Sequence, residues 1–149
     1  MTDVRAILDT TAVLAHAAGS IHVGEVIAEV ADEEATFGIP LPCLIEAARR
    51  ADRDHISGVY LLEANRYGAI VPDRLERWRT IAGLARVLGR ADLAAALLNA
   101  QDHGAYILTA EPDTYGDPER VSSSRSDPSR RSYDLVRSSR ARRGGLTTT

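Results

Sequence analysis

Residues 4–17 read VRAILDTTAVLAHA. The run at 5–9, RAILD, has the length and apolar content of a buried strand, yet it ends in a carboxylate followed by two threonines. A buried, unpaired carboxylate is costly. Asp9 therefore either caps a helix or sits at a mouth where something positive meets it.

Outward from this stretch, short apolar runs alternate with helical periods. VGEVIAEVA (23–31) places Val23, Val26, Ile27, Val30 and Ala31 on one helical face. TFGIP (36–40) predicts a strand stopped by proline, and Pro42 suits the first turn of a helix through CLIEAARRA. A helix over 55–66 precedes the strand GAIVP (68–72), and a long amphipathic helix over 73–88 directs Leu75, Trp78, Ile81, Ala82 and Ala85 inward. RADLAAALLNAQDHG predicts a helix closed by Gly104, followed by the strand AYILTA (105–110). Strands alternating with helices predict an α/β fold, a three-layer α/β/α sandwich around a central parallel sheet.

The 149 residues suffice for one well-buried core. That core is expected within 1–117. Residues 118–149 are dominated by Ser and Arg without an apolar period and predict a disordered tail. Weak RNA contact through its arginines and passive solubilisation are both open roles. Charge follows the same division: 1–117 carry 10 Arg against 18 acids, a net of −8, and 118–149 carry 8 Arg against 3 acids, a net of +5. An acidic body does not capture nucleic acid by simple attraction unless cations gather where the acids cluster.

All 18 basic residues are Arg, which removes the phosphate-binding lysine of a P-loop and the amine of a Schiff-base enzyme. The single Cys43 forms no intrachain disulfide and suits buried packing in a reducing cytoplasm. The first apolar run is short and interrupted by Asp9 and His16, unlike a signal peptide, and no run approaches a membrane span. A cytoplasmic protein without membrane contact is the expectation.

In an open parallel sheet, ligands bind beyond the carboxyl ends of the strands. Asp9 ends the first strand and Glu111 follows the last, while Glu46 lies one turn into the helix after the second strand and Asp92 opens the helix before the last. Each acid has a local alternative: Asp9 as an N-cap, Glu46 paired with Arg49 or Arg50, Asp92 as a helix-start residue, Glu111 in a solvated loop. Together, four carboxylates at one edge favour a divalent cation with oxygen ligands, such as Mg²⁺ or Mn²⁺. Thr11 and Thr109 add hydroxyls that would orient a carboxylate or a metal-bound water.

These motifs resemble a PIN-domain ribonuclease of the VapC-like toxin type. ILDTTAVLA is similar to the family's first acidic motif, IPLPCLIEAAR to its strand-then-glutamate motif, and RADLAAALLNAQDHGAYILTAEPDTY to its third acid, last strand and fourth acidic position. The likeness covers about 4–117. It implies a metal-dependent endoribonuclease in which Asp9, Glu46 and Asp92 hold Mg²⁺ or Mn²⁺. The fourth acid, usually Asp, matches Glu111 here, with Asp113 as a substitute. The resemblance also implies dimerisation and a small cognate antitoxin. Arg49, Arg50 and Arg53, like Arg86 and Arg90 near Asp92, are candidates for phosphate contact or for a solvated basic face.

The main rival is a catalytically weak PIN-like module that binds RNA or a protein without cutting. A haloacid-dehalogenase-like phosphatase also starts with an aspartate after its first strand, but it needs a second Asp where Thr11 stands and a Lys that the chain lacks.

Overall fold

A computed structural model describes residues 3–115 and the backbone of Leu135–Val136. The chain runs β1 (Val4–Leu8), α1 (Thr10–Ala17), α2 (Ile21–Asp32), β2 (Thr36–Pro40), α3 (Leu41–Arg50), α4 (Ile56–Glu63) and β3 (Gly68–Val71). It continues through α5 (Trp78–Leu88), α6 (Ala91–His103), β4 (Tyr106–Leu108) and β5 (Leu135–Val136). The sheet order is β3-β2-β1-β4-β5, parallel from β3 to β4. The expected α/β architecture with a parallel core is the one observed.

α1 packs with α2, α3 and α4, and α5 with α6; the right-handed rule for parallel crossovers assigns the two groups to opposite faces of the sheet. The central strands are buried on both faces, so they read as apolar runs rather than alternating ones: Ile7, Leu8, Phe37, Ile39, Ile107 and Leu108 are all within the core. The chain leaves β1 in one direction, toward β2 and β3, and returns on the other side at β4. Such a reversal opens a crevice beyond the carboxyl ends of β1 and β4.

The helix α1 was not among the periodic segments. It has no polar face to reveal it, because it is packed against α2, α3 and α4 at once. Its approach to α4 is close: a Cβ on Gly58 would stand 2.8 Å from the Ala17 Cα. Gly104 closes α6 at φ +59°, as its position after the helical period predicts.

The segment 73–88 differs from its pattern. It starts as a short 3₁₀ turn, Leu75–Arg77, and α5 follows. Leu75 and Trp78 are 87% and 61% exposed and Ala82 is exposed, while Ile81 and Ala85 are half-buried. The cause is layering: α5 packs chiefly on α6 rather than on the sheet, so one neighbour covers only part of its apolar stripe.

Most of the expected tail lies outside the described residues. Its one described piece, Leu135–Val136, pairs antiparallel with β4 through Leu108↔Leu135 and Ile107↔Val136. Among the described residues no single helix is long and apolar enough to cross a membrane.

Candidate active site

Asp9 leaves β1 with its amide still in the sheet, donating to the Leu108 carbonyl at 3.2 Å. Its side chain then caps α1: Oδ1 accepts from the Ala12 amide at 3.0 Å. The same oxygen accepts from the Thr11 hydroxyl at 2.7 Å, and Oδ2 accepts from the Tyr115 phenol at 2.7 Å. With three donors, a carboxylate that is 0% exposed is fully satisfied. Of the two readings of Asp9, the helix cap is the one observed, at the carboxyl end of β1.

The threonines tie the two strand ends together. Thr11 Oγ1 lies 3.1 Å from Thr109 Oγ1 and accepts from the Ala110 amide at 2.8 Å. Thr109 in turn accepts from the Glu111 amide at 3.0 Å. Thr10, the first of the two threonines after Asp9, points its hydroxyl at Asp92 Oδ2 over 2.5 Å. Cys43, buried on α3, donates its thiol to the Asp92 carbonyl at 3.1 Å. Burial pushes that thiol far up, so it is a packing and bonding group rather than a nucleophile.

Asp92, 8% exposed in the first turn of α6, is gripped by Arg90 through both carboxylate oxygens, Nε to Oδ1 at 3.1 Å and Nη2 to Oδ2 at 2.5 Å. Arg90 Nη1 also reaches to 3.9 Å from Glu111 Oε2. Burial works to lower the Arg90 pKa. The Asp92 hydrogen bond and the charges of Asp92, Glu111 and Asp9 outweigh it and hold the guanidinium firmly protonated.

Glu46 sits on α3 as expected and is taken up by Arg49, Nε to Oε2 at 2.9 Å and Nη2 to Oε1 at 2.6 Å. That bond, with the charges of Arg49, Arg50 and Arg90, holds the Glu46 carboxyl below the usual range. Arg49 is thus engaged with an acid rather than facing solvent alone, and Arg50 is exposed nearby. Glu111, 52% exposed in its side chain, and the exposed Asp113 in the 3₁₀ turn Pro112–Tyr115 form the outer rim.

Arg90 joins Asp92 and Glu111, whereas Glu46 pairs with Arg49 and Asp9 is held by Thr11, the Ala12 amide and Tyr115. Among the described residues no three acidic, His or Cys side chains stand together as a ready metal-binding group. The donors available are nonetheless all oxygen, the chemistry that Mg²⁺ and Mn²⁺ take. A cavity of about 350 Å³ lies elsewhere, between the chain after β3 and α6, where Arg77 is already paired with Asp102 at 2.7 Å.

Tyr115 has no role in the sequence analysis, and Arg90 appears there only as a phosphate contact or part of a solvated basic face. No family model matches the chain, and no curated protein matches it either.

Proposed function

We propose that the chain is a Mg²⁺- or Mn²⁺-dependent endoribonuclease of the PIN-like, VapC-like toxin type. One observation supports this reading: Asp9 at the end of β1, and Asp92, which accepts from the neighbouring Thr10, are both buried and held by dedicated donors.

In this reading Asp9, Glu46 and Asp92 hold the ion, with Glu111 supporting it. Thr11 and the Ala12 amide fix Asp9, while Thr10 fixes Asp92, so that neither carboxylate reorients when charge builds up at the mouth. When bound, a divalent ion supplies Lewis-acid polarisation of a phosphate and acidifies a water. Arg50, with Arg49 once released from Glu46, is placed to meet the backbone phosphates of an RNA strand. Tyr115 covers Asp9 Oδ2. Burial and the Asp9 charge raise its phenol far above the usual value, so it acts as a protonated donor and not as a base. Cytoplasmic RNA, a cognate antitoxin and a second copy of the chain are the partners this reading brings with it.

The second reading, a PIN-like module that binds without cutting, is favoured by the arginine pairing of Glu46 and Asp92. Sequencing the RNA ends made by purified protein separates the two. New 5′-phosphate ends with Mn²⁺, absent with chelator and absent in Asp9→Asn, support the nuclease. A mixed RNA pool left intact at every Mg²⁺ and Mn²⁺ level supports the binding module.

A further inference from the structure

Residues 74–88, the 3₁₀ turn and α5, carry Arg74, Arg77, Arg79 and Arg86 against Glu76 alone, a net of +3. The remainder of 1–117 carries 6 Arg against 17 acids, a net of −11. This segment is a basic island on an acidic body. Its arginines divide in two: Arg74 and Arg77 are taken up by Glu76 and Asp102, each at 2.7 Å. Arg79 and Arg86 are exposed and meet no acidic side chain among the described residues.

α5 packs on α6 with Ile81, Leu84, Ala85 and Leu88 half-buried, so its other face looks outward. From the turn into the helix, Leu75, Arg79, Ala82 and Arg86 follow one another along that face, with Trp78 beside them. Trp78 is the one tryptophan of the chain and is 61% exposed. The Arg79 guanidinium stands 5.3 Å from its ring centre, so ring and charge are presented together. A stripe in which Arg interrupts the apolar residues does not suit a lipid surface, which takes a continuous apolar face with the charges on the other side. Nor does it suit a two-fold contact with a second copy, which would set Arg79 and Arg86 against their own counterparts. A single strand of RNA fits both parts, because its phosphates meet guanidinium groups and its bases stack on an aromatic ring.

We propose that the outer face of α5, through Trp78, Arg79 and Arg86, is a docking surface for single-stranded RNA, separate from the acid group. Arg79 and Arg86 are about 10 Å apart along the helix axis, so separate phosphates of one strand reach them. Charge and ring account for the strand; its being RNA rather than DNA rests on the ribonuclease reading above.

The test follows Trp78 fluorescence while the full chain, in chelator, is titrated with an oligoadenylate of about ten nucleotides. Its deoxyribose counterpart and phosphatidylglycerol vesicles are the parallel titrants. The RNA is expected to quench the emission saturably and to bind at least as tightly as the DNA, with the vesicles inert. Arg79→Gln and Arg86→Gln should each lower the slope of log affinity against log salt by about 0.7. Trp78→Ala, followed through a dye on the RNA, should bind about 10-fold more weakly. Trp78→Tyr, which keeps a ring, should lose less and stands in if Trp78→Ala does not fold. Emission unchanged by RNA overturns the surface, as does binding that the Trp78 and arginine variants leave intact. A blue shift on vesicles alone makes α5 a lipid-binding helix instead, and tighter binding of the DNA removes RNA as the occupant. Because no metal is present, the two readings fail separately. A chain that is quenched by RNA yet never cuts it in Mn²⁺ keeps this surface and loses the nuclease reading; one that cuts without quenching does the reverse.

Discussion

The floor and the rim of the acid group are built differently. On the floor, Asp9 and Asp92 are 0% and 8% exposed, and their donors come from α1, from the residue before α6, and from the turn ending at Tyr115. On the rim, Glu46 and Glu111 are partly exposed and held by arginine side chains alone. A carboxylate fixed by buried hydroxyls and amides has one orientation. One held by a surface guanidinium exchanges it for water or another cation at little cost. The floor therefore belongs to the fold, whereas the rim is free to serve the chemistry proposed above.

The sharpest way to break this distinction is at Asp92. Asp92→Ala leaves the Thr10 hydroxyl without its acceptor and a half-buried guanidinium without its fork, an expected loss of about 2–4 kcal/mol in chemical denaturation. Asp9→Ala removes the α1 cap and the acceptor for two hydroxyls, for about 2–3 kcal/mol. Asn at the same position still caps the helix, so Asp9→Asn should keep most of that stability while cleavage falls on the order of 100-fold or more. Tyr115→Phe deletes one donor to Asp9 and should cost about 1–2 kcal/mol. If Asp92→Ala and Asp9→Ala melt like wild type, the floor is not structural and the distinction fails.

At the rim the expected stability effects nearly vanish. Glu46→Gln should leave stability close to wild type, because the pair it breaks is a surface pair, yet reduce cleavage as strongly as Asp9→Asn. Glu111→Gln should reduce cleavage less, and Glu111→Asp should retain or raise it, since a position that acts through water tolerates a change of one methylene. Asp113→Asn abolishing activity while Glu111→Gln leaves it untouched would move the supporting role from Glu111 to Asp113. The smallest effect lies away from the site. Burial lowers the His16 pKa, and its Nδ1 has no hydrogen-bond partner. The unfolded chain then binds the extra proton first, so this contribution is complete above about pH 6.5 and declines as pH falls below it. Stability measured against pH in wild type and His16→Gln should diverge only in that acidic window.

What the sequence made legible follows from where side chains are averaged and where they are not. Strands buried on both faces write themselves as apolar runs, which located TFGIP to the residue and, with it, the acids at the strand ends. Helix α1 was hidden because a helix surrounded by three others has no polar face to mark its period. Leu75 and Trp78 misled for the opposite reason: an apolar stripe states that a face can be covered, not that it is. The acid group was readable as a set of positions. The Arg90–Asp92 pair was not, because it depends on a side chain turning back toward Asp92 from the residue before the helix, a direction that spacing does not encode.

The proposed reading, in which Asp9 and Asp92 belong to a divalent-cation site, is tested most directly by locating Mn²⁺ in crystals through its anomalous scattering. The account predicts a peak in contact with the Asp9 and Asp92 carboxylates. A peak elsewhere, for instance beside Asp73 and Asp102 in the separate cavity, or none at saturating Mn²⁺ with the Arg90–Asp92 pair intact, would contradict it.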